Sequence, residues 1–551
     1  MFGQGGGTSS YEEVADTDLI VIWGSNARET HPIFFHHVLK SINNGAKLYA
    51  VDPRRTSTSE WADVWLGIDV GTDIALSNTI AREIIAADLH NKTFIEIGTS
   101  GFDEYAESVE PWTLERGAQE TGVPADVIRD LAHQLGGADR AQICWTLGIT
   151  EHHNGVDNVL SLINLALLTG NVGRYGAGVN PLRGQNNVQG GGDMGAIPNK
   201  LPGFQDIEKD DAARTRFEAA WDCKIIPKNG WHLTQMFEAM ERGDLDTVYV
   251  IGENPAQSEA DIQHTRHLLE GLEFMVVQDI FMTKTAEYAD VVFPASASWC
   301  ESEGTVTNSE RRVQRVRKAL DPPGNARDDM GIIQELARRM GHDWNYGSES
   351  IEMAENAWNE VRSLSPIHTG MTYARLAAED GLRWPCVDED DPGASFLHGR
   401  LWETDPDRRG VAAPFSVVLH ELPVDELTDE FPVRLTTGRR LSEYNTGVQS
   451  GGYASPLRTG ETLDLSPEDM QRYNVKEGDM VKVTSRRGSL EAPVRVDEGL
   501  RPGLAFMTFH FPDEVDVNII TIDATDPKAG TAEFKAAAIR IERVAPAEVS
   551  V

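Results

Sequence analysis

Between Asn180 and Gly195 the chain runs NPLRGQNNVQGGGDMG, gathering one guanidinium, Arg183, and four side-chain amides, Gln185, Asn186, Asn187 and Gln189. Arg offers a planar fork of donors to a carboxylate, and amides can read the edges of a ring. Glycine-rich backbone lets a ligand approach closely. The chemistry these residues suit is the binding of an anionic or heteroaromatic ligand, although a surface loop capping a helix has the same composition. The stretch is too rich in Gly and Asn for a helix interior and lacks the alternation of a strand. It is predicted to be a long ordered loop.

The elements that must position this loop begin with Leu19-Ile-Val-Ile-Trp-Gly24, a short apolar run that reads as a buried parallel strand. A helix is predicted from about Pro32 to Asn43, then a strand Lys47–Asp52, then an extended stretch Val64–Ile68. In such βαβ units ligands bind at the carboxyl ends of the strands. Gly24, Asn26, Asp52, Arg54, Gly71 and Asp73 all fall at that edge. There is no GxGxxG, so the usual NAD fingerprint is missing.

A second unit repeats the plan. Thr247–Gly252 reads as a strand, Ser258–Leu269 as a helix, Phe274–Asp279 as the next strand and Asp290–Pro294 as a third. The parallel of WGSN and VDPRR with IGEN and QDIF is weak as sequence but clear as architecture. Two such sheets suit two copies of a nucleotide-like ligand. Between them lies an apolar helix, Val159–Leu168, stopped by Gly170 and Asn171. The adjacent His152 and His153 point apart and have no third ligand, so no metal site is assigned to them.

Residues 365–411 are predicted to be a connection of low regularity, with a solvated acidic turn at Asp388–Asp391. After about Phe415 short β-rich segments alternate with turns: Val433–Thr437, Met480–Ser485, Leu490–Val496 and Leu504–Phe509. That spacing suggests a closed antiparallel or mixed barrel. The domain reading is therefore 1–185, 186–364 (a partial second α/β unit), a linker 365–414 and a barrel 415–551.

Composition bounds the function. With 551 residues and a formal charge of −37, nucleic acid and anionic membranes are unsuitable partners, because phosphate contacts need clustered Lys and Arg. No apolar run reaches the roughly 18 residues of a membrane-spanning helix, and no signal peptide is evident, so a cytoplasmic location without membrane insertion is expected. Lys supplies 13 of the 50 basic residues. This acidic, Lys-poor balance fits a salt-accumulating halophile, where a Debye length of about 3 Å at 1 M salt screens self-repulsion. Cys144, Cys223, Cys300 and Cys386 are too scattered for an ordinary zinc or iron–sulfur site, and are expected to be reduced and mostly buried or inert.

Seven segments, TDLIVIWGSNARETHP, VDPRRT, LALLTGNVGRYGAGVNPLRGQNNVQ, VVQDIFMTKTAEYADVVFPA, TYARL, GLRWPC and SRRGSLEAPVRV, carry a resemblance over essentially the whole chain. They resemble the catalytic subunit of molybdopterin-dependent formate dehydrogenases, in the dimethyl-sulfoxide-reductase superfamily. The resemblance implies two Rossmann-like domains and a C-terminal barrel of double-psi type. It also implies molybdenum or tungsten held by two molybdopterin guanine dinucleotides. Asn26, Asp52, Arg54, Gly71 and Asp73 match the first nucleotide pocket, and Gly252, Glu253, Asn254, Gln278 and Asp279 the second. Leu147, Glu151, Gln185, Arg439, Tyr444, Asn518 and Lys535 fall where the family lines pterins or phosphates, while Glu443 stands where a His is usual. Asp52, Asp73 and Asp279 can accept from guanine's exocyclic amine, and Arg439 and Lys535 can balance diphosphate charge. Arg183 matches the Arg that faces formate.

The family's 4Fe-4S cysteines, and the Cys or selenocysteine followed by His at the metal, precede the segment that MFGQGGGTSSYEEVADTDL resembles. The resemblance thus implies an N-terminal segment or upstream polypeptide supplying them, and an electron-transfer subunit beyond. The implied reaction is oxidation of formate to carbon dioxide. Two alternatives stand beside it: a nitrate reductase of the same superfamily, which would share the dinucleotide pockets, and a non-catalytic scaffold subunit like that of respiratory complex I.

Overall fold

The computed structural model describes residue 2 and residues 5–441, 443–447 and 460–544. Its first sheet has five parallel strands: β1 (Leu19–Trp23), β2 (Lys47–Val51), β3 (Val64–Leu66), β4 (Ala141–Trp145) and β5 (Gly178–Pro181), in the order β3-β2-β1-β4-β5. β1 is buried throughout because helices cover both faces. Leu19, Val21 and Trp23 enter the larger core with Tyr49, Val51 and Ile143. Ile20 and Ile22 face the other way, onto Phe34, Phe35 and Val38 of the helix Pro32–Asn43. The period-two alternation of side chains thus splits an all-apolar run between two cores. The helix Gly155–Thr169 is stopped by Gly170, which adopts φ +70°, as its sequence signal predicts.

A second sheet has three parallel strands, β6 (Thr247–Ile251), β7 (Phe274–Asp279) and β8 (Val291–Pro294), with β7 in the middle. Its strand ends repeat those of the first sheet in atomic detail. Gly24 N–H donates to Val51 O at 2.8 Å, and Gly252 N–H to Gln278 O at 2.9 Å. Both glycines have positive φ, +56° and +63°, a conformation that L side chains resist. Asn26 Oδ1 accepts from the N–H and hydroxyl of Thr58; Asn254 Oδ1 accepts from the same pair on Thr285. Leu48 N–H and Met275 N–H are each held at 2.8 Å by an aspartate, Asp63 and Asp290. β1 pairs on both sides, whereas β6 pairs with β7 alone among the described residues. Its helix also begins later than Ser258. A one-turn helix, Pro255–Ser258, intervenes before Ile262–Glu270, because Asp261 adopts a left-handed φ of +44° and breaks the run.

An antiparallel sheet, β9 (Gly304–Thr307), β10 (Arg312–Val316) and β11 (Leu382–Arg383), follows. The segment 365–411 has only short elements, but it is packed. Met371, Leu376, Trp384, Cys386 and Leu397 are buried in one cluster with Val313. Arg311, fully buried, ties this segment to the start of the chain. Its guanidinium donates to the carbonyls of Trp384, Ala394 and Ser395 on one side and of Gly7 and Ser9 on the other.

The C-terminal unit is a closed, mixed barrel of β12 (Val433–Gly438), β13 (Leu463–Leu465), β14 (Met480–Thr484), β15 (Ser489–Val496), β16 (Leu504–Thr508) and β17 (Ala537–Arg543). Alternate residues Val433, Leu435, Val481, Val483, Ala492 and Val494 fill its interior. The periodicity predicts four of the six strands. β13 escapes it because its middle residue is Asp464, buried and bridged by Arg440 and Arg495; β17 escapes because Arg540, Glu542 and Arg543 obscure its apolar face. The barrel seats against both sheets. Arg55 N–H reaches Gly499 O at 2.9 Å, and Arg266 pairs with Asp516 at 2.7 Å.

Replacing Asn26 or Asn254 with Leu strips an acceptor from a buried Thr amide, so each is expected to cost about 1–3 kcal/mol. The two losses should add, since the sites share no partner. Chemical denaturation reads the total. Faster hydrogen exchange at Thr58 or Thr285 alone assigns each loss to its own sheet.

Candidate functional site

Two clefts open where the parallel strands end. The first, of about 950 Å³, is lined by Asn26, Asp52, Arg54, Gly71, Asp73 and Leu147, with Lys535 from the barrel. The second, of about 1460 Å³, is lined by Gly252, Glu253, Asn254, Gln278 and Asp279, and by Glu151, Gln185, Tyr444 and Asn518. Arg439 and Phe509, at the end of β12 and just beyond β16, line both. The strand-end residues and the barrel residues singled out in the sequence are therefore brought together, and the two clefts meet at one guanidinium.

Their electrostatics differ. In the first cleft Asp73 is buried and Asp52 half-buried, and desolvation raises both pKa values above the usual carboxylate range. Arg54 opposes the shift at Asp52, while His152 and the Trp23 indole oppose it at Asp73, whose Oδ1 accepts from Trp23 Nε1–H at 2.8 Å. The guanidinium of Arg54 lies over Phe506, 3.6 Å from the ring centroid, a cation–π contact that fixes its plane. In the second cleft Glu253, Asp279 and Asp329 are all pushed upward by burial. Behind Glu253, Glu259 reaches about 7 through burial and the repulsion of Glu253. Arg439 is the one Lys or Arg among the described residues lining that cleft.

Lys535 and Arg439 are not equivalent. Lys535 Nζ is already paired with Glu151 at 2.8 Å and donates to Thr437 O. Arg439 Nε is buried without a hydrogen-bond partner among the described residues, and burial lowers its pKa. An unpaired buried donor on a cation is costly, so Arg439 is a group free to receive an anion at the meeting of the two clefts. Gly252 adds an open cradle, since a Cβ there would meet nothing within 4 Å. A ligand with N–H donors toward the carboxylates and anionic oxygens toward Arg439 fits both clefts. Gly71 serves packing as well: its Cβ would strike Pro423 at 2.6 Å. Asn26 and Asn254 spend their carbonyl oxygens on the clasps described above. Asn518 likewise donates to Gln257 O at 3.3 Å, joining barrel to second sheet.

Arg183 lines neither cleft, though its neighbour Gly184 lines the first. Its guanidinium donates from Nε to Gln189 Oε1 at 3.1 Å and from Nη2 to Gly5 O at 2.9 Å. Its own carbonyl meets His31 Nε2 at 2.6 Å. The predicted loop is not wholly a loop: Val188–Asp193 is a helix. Asn187, in a left-handed conformation, starts it, and Gly190 is obligatory because a Cβ there would lie 1.9 Å from Asn187 Oδ1. The high Gly count that argues against a helix is a packing requirement here.

Other residues found here were not singled out in the sequence: His31, Asp329, Thr437, Phe509 and Asn445. Only Asp329 carries a signal, as the first residue of the helix Asp329–Arg339. Glu443 is buried and acts on His510, whose Nε2 accepts from Arg440 N–H. Cys144 and Cys386 are buried as expected, but Cys223 is exposed, because the turn after Trp221 has little packed against it. His152 and His153 converge on Glu533: His152 Nδ1 lies 3.3 Å from Oε1, and His153 N–H donates to Oε2 at 3.0 Å.

A family model described as molybdopterin oxidoreductase matches residues 3–339, and one described as molydopterin dinucleotide binding domain matches residues 433–538. The chain is 40% identical over 546 residues to the F420-dependent formate dehydrogenase subunit alpha of Methanocaldococcus jannaschii, covering 98% of this chain and 79% of that one. It is 36% identical over 549 residues to formate dehydrogenase H of Escherichia coli, covering 98% and 75%. Among solved structures, acetylene hydratase from Pelobacter acetylenicus superposes with a TM-score of 0.73 at 20% identity, over 98% of this chain and 79% of that one. At that identity the likeness speaks for the fold alone.

The His152–Glu533 pair sets a pH dependence. Burial disfavours both charges, but their mutual attraction, with Asp73 assisting, leaves His152 raised and Glu533 lowered. The Glu533 contribution is present above its unfolded value of about 4.5 and is lost as pH falls through the depressed folded pKa. The His152 contribution is present below about 6.5 and is lost as pH rises through the elevated folded pKa. Unfolding free energy should therefore decline above about pH 6.5 in the natural chain. His152→Gln should remove that part of the slope in denaturation curves measured from pH 6 to 9.

Proposed function

The chain belongs to the molybdopterin oxidoreductase family, and on that premise we propose that it is the catalytic chain of a formate dehydrogenase, oxidising formate to carbon dioxide. The observation that carries this reading is the pair of similarly built strand-end clefts meeting at Arg439, in a chain whose relatives named above are formate dehydrogenases. Each cleft takes one molybdopterin guanine dinucleotide. When bound, the bis-molybdopterin centre, with molybdenum or tungsten, supplies the two-electron acceptor that no side chain provides.

The chain's own residues hold and orient. Asp52 and Asp73 accept N–H donors of the first guanine. Glu253 and Asp279, with Gln278 fixed by its bond to Asp329, do the same for the second. Arg439 balances the anionic groups between the clefts, and Arg54, Gly71, Leu147, Gly252 and Asn254 shape the walls. Glu151 and Lys535, already a pair, act as one dipolar unit at the junction, with Gln185, Tyr444 and Asn518 at its rim. Arg183 binds the carboxylate of formate and orients its C–H bond, a positioning role suited to a planar guanidinium. Electrons leave through an iron–sulfur relay, with a 4Fe-4S centre and Cys–His metal ligands on an accompanying segment or polypeptide, and then through an electron-transfer subunit. The setting is the cytoplasm of a salt-accumulating cell.

Purified with its accompanying polypeptide, the protein should contain molybdenum or tungsten and guanine nucleotide, and should reduce a dye with formate but not oxidise reduced dye with nitrate. Arg183→Ala should lower kcat/KM for formate by about a hundredfold or more, the scale of a lost charge-assisted contact. Arg174→Ala, whose guanidinium contacts Asp139 and Trp402 on the surface, should change it little. Equal losses would remove Arg183 from the mechanism.

A further inference from the structure

The helix Val188–Asp193 places Gln189 and Asp193 one turn apart, and both side chains are buried. Gln189 works with both ends of its amide. Its Oε1 accepts from Arg183 Nε–H at 3.1 Å, and its Nε2 donates to Asp193 Oδ1 at 2.9 Å and to Gly5 O at 2.8 Å. The other carboxylate oxygen, Asp193 Oδ2, accepts from the indole N–H of the fully buried Trp384 at 2.8 Å. The Thr307 side chain favours the ionised form of the same carboxylate. Among the described residues Asp193 makes no direct ion pair. Two cations face it. Arg183 lies beyond Gln189, and Arg311 lies behind, spending its donors on backbone carbonyls and balanced by Glu13 and Glu310. Arg183 keeps Nη1 without a hydrogen bond among the described residues, while Nε and Nη2 are held.

We propose that Gln189 and Asp193 are positioning residues for Arg183, forming a relay in which the Asp193 carboxyl, through the Gln189 amide, sets the orientation and net charge that the guanidinium presents to a bound monoanion. This rests on the reading of Arg183 as the anion-binding residue. The amide can satisfy both neighbours in one orientation only, oxygen toward the guanidinium and nitrogen toward the carboxylate, so it locks the plane of Arg183. Charge follows the same line. An ionised Asp193 offsets part of the Arg183 charge, and a protonated one leaves the cation unopposed. Burial raises Asp193 to about 6, so this exchange falls within the working pH range. Anion binding should be tighter below that value and weaker above it. By linkage, a bound anion should draw a proton onto Asp193.

The test measures nitrate binding to the oxidised holoenzyme, without reductant, by titration calorimetry from pH 5 to 8. Nitrate is a planar monoanion with no proton to gain in that range. Its Kd should rise about three- to tenfold across pH 6, the scale of a coupling near one pKa unit, and the KM for formate should follow while kcat changes less. Asp193→Asn should flatten the profile. Thr307→Val, which removes a polar side chain that favours the ionised carboxylate and keeps the backbone, should move the midpoint to higher pH, a shift that a merely structural role would not produce. A natural-chain profile flat in pH, an Asp193→Asn profile that keeps the natural slope, or a midpoint unmoved in Thr307→Val would overturn the relay. Should Asp193→Asn fail to fold, Thr307→Val decides alone. Absence of formate turnover, with the nitrate slope intact, would instead sink the proposed reaction and leave the relay standing.

Discussion

Parallel strands leave backbone groups unpaired at their carboxyl ends, and the rest of this structure depends on how those ends are closed. At each of two sheets the solution is the same. A glycine in the left-handed region turns the chain, and an asparagine two residues later gives its carbonyl oxygen to the amide and hydroxyl of a distant threonine. The clasp holds two successive strand-end loops apart at a set width. The clefts are the space left between them.

Such a space is lined by carboxylates, which makes charge its organising problem. Asp52, Asp73, Glu253 and Asp279 are all driven toward protonation by burial, so donors brought by a ligand relieve a cost the protein already carries. The cations are distributed unevenly. Lys535 is neutralised by Glu151, and His152 by Glu533, whereas Arg439 stands between the clefts with a buried nitrogen unsatisfied among the described residues. Its position is where two anionic ligands would meet.

The C-terminal unit supplies two of these cations. Arg439 ends one strand, Lys535 precedes another, and contacts such as Arg266–Asp516 and Arg55–Gly499 seat the barrel on both sheets. The junction of three units, rather than any one of them, is the site. Arg183 belongs to the same logic: its guanidinium is gripped by a carbonyl from the start of the chain and by an amide from a short helix.

The sequence by itself determined the local order. The all-apolar run Leu19–Trp23, the stop at Gly170, the strands β7 and β8 and the alternation of the barrel's β12, β14, β15 and β16 follow from periodicity and from glycine's conformational freedom, which act over a few residues. The strand-end position of Asn26, Asp52, Gly252 and Asp279 followed from the same reading. Tertiary structure decided what the side chains do there. No spacing shows that Asn26 clasps Thr58, that Lys535 is spent on Glu151 while Arg439 is not, or that His152 and His153 serve a carboxylate rather than a metal. The glycine-rich helix Val188–Asp193 and the charged strand Leu463–Leu465 ran against local rules, because a Cβ on Gly190 would lie 1.9 Å from Asn187 Oδ1 and Asp464 is balanced by two arginines. Hydrogen bonds and ion pairs between residues hundreds of positions apart depend on burial and distance, which a linear pattern does not encode.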